Sequence, residues 1–103
     1  MSLFVVPKPE GEKPENQFQF KVSRKAYRVP FIQYLSGDAS EFLSEHGASM
    51  TEVAIMRRLI AIECPDAEEE VRKLSNDQML ALSAAWAEAS NGTVGESEAS
   101  EES

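Results

Sequence analysis

QFQFKVSRKAYRVPF, residues 17–31, decides the fold of this chain because apolar and polar side chains alternate along it. Successive side chains of an extended strand point to opposite faces, so Phe18, Phe20 and Val22 share one face while glutamine and lysine occupy the other. A face that carries two phenylalanines and a valine is suited to a hydrophobic core. The pattern therefore predicts a strand with one buried and one solvated face.

A second strand follows the first after a short polar turn. The strands are predicted at about 17–22 and 26–29, joined by residues 23–25 and closed by Pro30, which has no N–H to donate to a neighbouring strand. The basic side chains lie on the outer face or in the turn, where they favour solubility and discourage strand pairing. These side chains are Lys21, Arg24, Lys25 and Arg28. Together the two strands predict an N-terminal β-hairpin.

The rest of the folded chain is predicted to be helical. Helices are expected at about 38–46, 50–64, 65–74 and 76–90. Asp38 is the predicted N-cap of the first helix. Ser49 with Glu52, and Ser75 with Gln78, have the spacing of capping boxes ahead of the second and fourth helices. The predicted fold class is α+β and mainly α, with a hairpin followed by a small bundle of three to four helices.

Length and composition indicate one folded domain of an intracellular protein. The 103 residues suffice for one core, and the lone cysteine, Cys64, cannot form a disulfide within the chain. The apolar run Leu3–Val6 is too short for a signal sequence or a membrane span. Residues 1–15 are predicted to be a flexible arm and residues 91–103 a disordered acidic tail, so that residues 16–90 fold.

The helix at about 50–64 carries more apolar surface than one packing partner requires. Its main face is assigned to the core and comprises Val53, Met56, Leu59, Ile60 and Cys64. Ile55 and Ile62, seven residues apart, form a second stripe beside Arg58. We predict that this stripe binds a partner or forms a homo-oligomer, with the region around Trp86 as the next candidate surface.

Candidate catalytic and metal-binding residues are few. His46 is the only histidine, and it suits the C-terminal end of a helix, where the dipole favours positive charge. Cys64 is expected to be a buried thiol, and the carboxylates at 66–70 lack the glycine and alternating ligands of a calcium loop. The sequence has no phosphate-binding glycine loop, zinc-ligand spacing or nucleophile elbow. We therefore expect a non-enzymatic protein without catalytic, cofactor-binding or metal-binding residues.

A hairpin with aromatic and basic residues also suggests a small nucleic-acid-binding or regulatory domain, because several RNA-binding folds stack bases on sheet aromatics. Two features oppose this alternative. The aromatics alternate onto the face that the core needs, and the acidic surroundings repel phosphates. No nucleic-acid partner is therefore expected, and an unrelated protein-interaction module is the other alternative.

Two short motifs resemble the tail assembly chaperones of long-tailed, siphovirus-type bacteriophages. Many members open with an apolar-x-Phe-x-Val strand, a turn and Tyr-x-Val-Pro, which correspond here to residues 18–22 and 27–30. Many close with a Leu-x-x-Leu helix followed by tryptophan, matched here by Met79, Leu82 and Trp86. The likeness spans most of the predicted folded domain.

The resemblance implies a function in viral tail assembly. Such a chaperone binds and solubilises the long tape measure protein and helps to recruit tail-tube subunits. It acts in the host cell cytoplasm and is absent from the mature virion. A tape measure protein is helical with apolar stripes, so a small acidic partner with an adaptable apolar surface could cover those stripes reversibly. The partners implied are the tape measure protein and the tail-tube protein, without nucleic acid or membrane.

Overall fold

The computed structural model describes the backbone of residues 2–98 and the side chains of residues 2–91. Within this range an antiparallel hairpin is followed by four α-helices, so the predicted mainly helical α+β fold is confirmed. The strands and helices are β1 Gln17–Val22, β2 Lys25–Pro30, α1 Gly37–His46, α2 Glu52–Glu63, α3 Glu68–Arg72 and α4 Asn76–Glu98. Short 3₁₀ turns lie at Glu10–Glu12, Pro14–Asn16, Ile32–Tyr34 and Pro65–Ala67. None of the helices in this range is long and apolar enough to cross a lipid bilayer.

The hairpin turns its apolar face to the core, as predicted. Phe18 lies opposite Val29 and Phe20 opposite Tyr27, and the Phe20 and Tyr27 ring centroids are 5.7 Å apart. Phe20, Tyr27 and Val29 are all buried. Ser23 has a positive φ of 58° at the first of two turn residues, as in a type II′ turn. The turn is therefore one residue shorter than predicted, and β2 begins at residue 25.

Trp86 of α4 ties the end of the hairpin to the helices. Its side chain is completely buried, and its indole N–H donates a hydrogen bond to the Pro30 carbonyl oxygen at 2.9 Å. One turn later, the Ser90 hydroxyl accepts from the Ile32 N–H at 2.9 Å, and the Ser90 carbonyl accepts from the Gln33 side chain at 3.2 Å. The segment that leaves the hairpin is thereby fixed to α4. The remaining core residues include Ala39, Phe42, Leu59, Ile60, Ala67, Val71 and Met79.

The predicted capping box of α4 is confirmed. The Ser75 N–H donates to Gln78 Oε1 at 2.8 Å, and the Gln78 N–H donates to Ser75 Oγ at 3.3 Å. The Ser75 hydroxyl also donates to Asp77 at 2.6 Å, which lowers the pKa of that carboxyl below its usual value. Three polar side chains thus fix the start of the longest helix.

The predicted N-caps of α1 and α2 were wrong by two residues each. Ser36, not Asp38, caps α1, and Thr51, not Ser49, caps α2, through side-chain oxygens that accept the backbone N–H three residues on. Ser49 instead donates to the His46 carbonyl at 3.2 Å, in the turn after α1. Short polar side chains suited to capping lie two residues apart at both sites, so the path of the backbone decides which one is used.

Packing begins earlier in the chain than the predicted boundary at residue 16. The buried Asn16 side chain donates to the Glu10 carbonyl at 2.9 Å, and the Gln17 side chain donates to the Gly11 carbonyl at 3.0 Å. Residues 10–16 are therefore attached to the domain, although the sequence assigned most of them to the flexible arm.

Helix α4 extends beyond its predicted end near residue 90. Its backbone is helical to Glu98, past Gly92, which the sequence places just after the helix. Residues 99–103 lie outside the described residues. The predicted disorder of the acidic tail at 91–103 stays a prediction.

Gly11→Ala should lower the free energy of unfolding by about 1–3 kcal/mol, the usual cost of overpacking. A Cβ at this position would lie 2.7 Å from the Tyr34 carbonyl oxygen and 2.8 Å from Pro30 Cβ, so the backbone would have to shift. Gly37→Ala is the matched control, since nothing lies within 4 Å of its added Cβ and alanine favours helix. Urea unfolding followed by circular dichroism measures both; equal midpoints for the two variants would contradict the expectation.

Candidate protein-binding groove

The four residues predicted to bind a partner lie in different environments. Arg58 is exposed on α2 and borders a groove between α2 and α3. Ile55 and Ile62 are half-buried and pack against the core, so they do not form a freely exposed stripe. Trp86 has no exposed surface, which places it in the core and not on a binding surface. The structure therefore moves the candidate site to the neighbouring face of α2.

The groove between α2 and α3 has a volume of about 350 Å³. The α2 side of the groove is lined at helical spacing by Val53, Ala54, Arg57, Arg58 and Ala61, and Met50 extends it just before the helix. Ala54 and Ala61 are seven residues apart, which is almost two turns, so both lie on the same side of the helix. Their small side chains leave a depression into which larger apolar side chains of a partner can fit.

Arg57 holds the second wall of the groove in place. Its guanidinium donates to the carbonyl oxygens of Val71, Arg72 and Leu74, at 2.8, 2.9 and 2.8 Å. These carbonyls lie at and just after the C-terminal end of α3, where carbonyls lack the regular helical donor; the Val71 carbonyl also accepts from the Leu74 N–H at 3.1 Å. One half-buried side chain of α2 therefore fixes the distance between the two walls.

The border of the groove is basic although the chain is acidic. Arg57, Arg58 and Arg72 line it together with a single carboxylate, Glu68, against a net charge of −8 for the whole chain. The Arg58 guanidinium lies 5.1 Å from the centroid of the Phe42 ring and forms no ion pair with the described carboxylates. Arg72 makes only an exposed ion pair, whose contribution is small. The groove therefore favours ligands that combine apolar surface with negative charge.

The outer face of the hairpin is the second charged surface. Lys21, Arg24, Lys25 and Arg28 are exposed, as predicted. Phe20 is buried and Phe18 half-buried, with their ring centroids 6.0 Å apart, so neither is a fully exposed ring of the kind on which bases stack. This surface retains charge without the aromatic platform that an RNA-binding sheet uses.

The residues considered as catalytic or metal-binding candidates do not lie together in the structure. His46 is exposed beside Glu45, with 3.8 Å between His46 Nε2 and Glu45 Oε1, and its ring packs on Phe42. Cys64 is half-buried, so it is less enclosed than predicted. Among the residues that the structure describes, no group of three or more His, Cys, Asp or Glu side chains is placed to hold a metal ion.

The groove was not predicted from the sequence, although the spacing of its α2 residues is visible there. The spacing of Val53, Ala54, Arg57 and Ala61 marks one side of a helix, but alanine and arginine are not the residues that identify an apolar stripe. A groove also needs a second wall, and the short helix α3 supplies it. Three hydrogen bonds from Arg57 join α3 to α2, and no periodicity reveals them.

No protein-family model, curated protein or solved structure matches this chain. The chemistry of the groove residues and the two motifs of the hairpin and α4 are therefore what indicates a function.

Proposed function

We propose that this protein is a tail assembly chaperone of a long-tailed bacteriophage, which binds and solubilises the tape measure protein and helps to recruit tail-tube subunits. It acts in the host cell cytoplasm and leaves before the virion is complete. The observation that carries the proposal is the groove between α2 and α3 on an acidic chain. Its floor, formed by Met50, Val53, Ala54 and Ala61, is apolar, and its border carries arginines. Such a surface suits an amphipathic helix whose apolar stripe is flanked by carboxylates.

The two motifs that resemble the chaperone family support the proposal because they contact each other. The Tyr-x-Val-Pro motif ends at Pro30, whose carbonyl accepts the hydrogen bond from the Trp86 indole. Met79, which belongs to the same helical motif as Trp86, is also completely buried. The motif residues thus form one connected set within the core, and a connected set is more specific than either short motif alone.

The composition of the groove suits reversible binding of a long helical client. Met50 lies at one end of the floor, and a methionine side chain adapts to different apolar partners. The arginines attract the carboxylates that flank an apolar stripe, while the net charge of −8 keeps a coated client soluble. Binding many copies along one client requires modest affinity at each site, which a shallow open groove provides.

The test is co-expression of the protein with the tape measure protein of the same phage. The tape measure protein should remain soluble and co-purify with the wild-type chain. The double variant Ala54→Glu, Ala61→Glu should lose this association at least about tenfold, because it places carboxylates on the apolar floor opposite an acidic client. Ala85→Glu on the exposed side of α4 is the control and should bind normally.

Two outcomes would contradict the proposal. One is a tape measure protein that stays insoluble, or fails to co-purify, with the wild-type chain. The other is micromolar nucleic-acid binding at physiological salt that is lost in Arg24→Glu, Lys25→Glu, which would favour the nucleic-acid alternative. Binding of a different protein in the groove would instead indicate an unrelated interaction module.

A further inference from the structure

The arginine border of the α2–α3 groove has a complement of opposite charge in the C-terminal sequence of the same chain. The acidic tail, residues 91–103, contains four glutamates and no basic side chain, and Glu101 and Glu102 are adjacent. The groove is lined by three arginines and one glutamate. Such opposite charges steer two surfaces together and suppress contacts with surfaces of the same sign.

The length of α4 separates the acidic tail from the groove of its own chain. Asn76, the first residue of α4, lines the groove, and the helical backbone continues to Glu98. At 1.5 Å per residue these two positions are about 33 Å apart along the helix. Residues 99–103 span at most about 18 Å when fully extended. A contact between the acidic tail and a groove therefore joins two copies of the chain.

An uncharged stripe on the surface of α4 runs from the groove towards the acidic tail. Its members recur at intervals of three or four residues, so they lie on one side of the helix, and they are Asn76, Leu80, Ala84, Ala87 and Asn91. Leu80 is 49% exposed, more than any other large apolar side chain among the described residues after position 6. Ala87 is half-buried and the other members are exposed. The stripe therefore offers α4 a surface on which a second helix can pack without burying a charge.

We propose that two copies of the chain pair through this stripe with their α4 helices antiparallel, so that the acidic tail of each copy lies against the arginine border of the other. Ala87 is midway between Asn76 and Glu98, and a two-fold axis beside it brings the end of one α4 to the start of the other. Each copy then provides one tail and one groove, so every contact occurs twice. The carboxylates also reach the N-terminal end of the second α4, where the helix dipole favours negative charge.

The pairing is expected to be reversible and sensitive to salt. Ion pairs between exposed side chains contribute little individually, so the apolar contact around Leu80 has to add to them. The acidic tail occupies the border that the proposed client would use, and the client therefore competes with the second copy. Self-association itself requires no client, so it can be measured on the purified chain alone.

Sedimentation equilibrium of the full chain tests the pairing. Dimers should form at about 100 μM, and raising the salt from about 0.05 to 0.5 M should weaken them at least about fivefold, because salt screens exposed charges. Leu80→Glu should weaken the dimer at least about tenfold, because it places a carboxylate in the stripe. Ala85→Glu is the matched control, since it adds the same charge at an exposed position of α4 outside the stripe, and it should dimerise normally.

Charge reversal identifies which segments meet. Arg58→Glu, Arg72→Glu in the groove should weaken the dimer at least about tenfold with an unchanged melting curve, because both arginines are exposed. Glu98→Lys, Glu101→Lys, Glu102→Lys should have the same effect without any change in the groove. An equal mixture of the two variants should form a heterodimer, because a glutamate tail then meets an arginine border and a lysine tail meets a glutamate border.

Other results overturn the inference or a defined part of it. A wild type that is monomeric at about ten times this concentration excludes the pairing. A dimer that survives Leu80→Glu excludes the stripe of α4 as the contact, and one that survives the tail reversal excludes the acidic tail. If both reversals abolish the dimer and their mixture does not restore it, the tail and the groove do not meet. None of these results affects the tape measure experiment, whose readout is the solubility of the client.

Discussion

Trp86→Ala should lower the free energy of unfolding by about 3–5 kcal/mol, the usual cost of truncating a large buried aromatic side chain. Trp86 is completely buried, and its indole N–H satisfies the Pro30 carbonyl at 2.9 Å. The substitution removes this hydrogen bond and leaves a cavity where the hairpin joins α4. Since small domains are stable by only about 5–15 kcal/mol, this loss is a large fraction of the total stability.

Trp86→Phe separates the contribution of the indole hydrogen bond from that of ring packing. It retains most of the ring but leaves the Pro30 carbonyl without its donor, at a cost of about 1–3 kcal/mol. Because Trp86 is the only tryptophan, unfolding should be followed by far-UV circular dichroism in urea and not by fluorescence. A loss below about 1 kcal/mol for Trp86→Ala would show that the hairpin and α4 fold independently of this contact.

The hairpin and the helical order could be predicted because they depend on local patterns. Alternation along residues 17–22 and 26–29 specifies which side of each strand is buried, and the structure buries that side. The capping box of Ser75 and Gln78 marks the start of α4 through contacts within one turn. Such features need no knowledge of distant parts of the chain.

The candidate site could not be predicted in the same way, because it depends on how helices pack. Ile55 and Ile62 are the larger apolar residues of α2 outside the assigned core face, so they mark an interface when the helix is considered alone. In the fold they pack against the core, while the smaller Ala54 and Ala61 remain at the groove. The groove is thus lined by small side chains of α2, whose low apolar bulk does not identify a binding surface in the sequence.

Arg57→Met should lower the free energy of unfolding by about 2–4 kcal/mol, which is less than the sum of three charge-assisted hydrogen bonds because the site is partly exposed. The variant removes the Arg57 donor from the carbonyls of Arg72 and Leu74 at the end of α3, and it leaves the Val71 carbonyl with only the Leu74 N–H. Arg57→Lys should recover only part of the loss, since an ammonium group lacks the planar fork that reaches several carbonyls at once. Urea unfolding gives the stability, and hydrogen exchange of α3 amides reports the local loosening.

Arg58→Met is the matched control, because this neighbouring arginine is exposed and its ring contact with Phe42 contributes only about 0.5–1 kcal/mol. If α3 is held by Arg57, hydrogen exchange in α3 should accelerate in Arg57→Met and stay unchanged in Arg58→Met.

Binding in the groove should weaken in both variants, but for different reasons. Arg57→Met loses the second wall, and Arg58→Met loses border charge. Raised ionic strength distinguishes these two causes. Salt screens the border charge, so wild-type binding should fall towards that of Arg58→Met, while hydrogen exchange of α3 should stay unaffected. Equal stability and equal exchange in the two variants would mean that α3 is positioned by its buried Val71 and not by Arg57, and that the groove does not depend on this side chain for its shape.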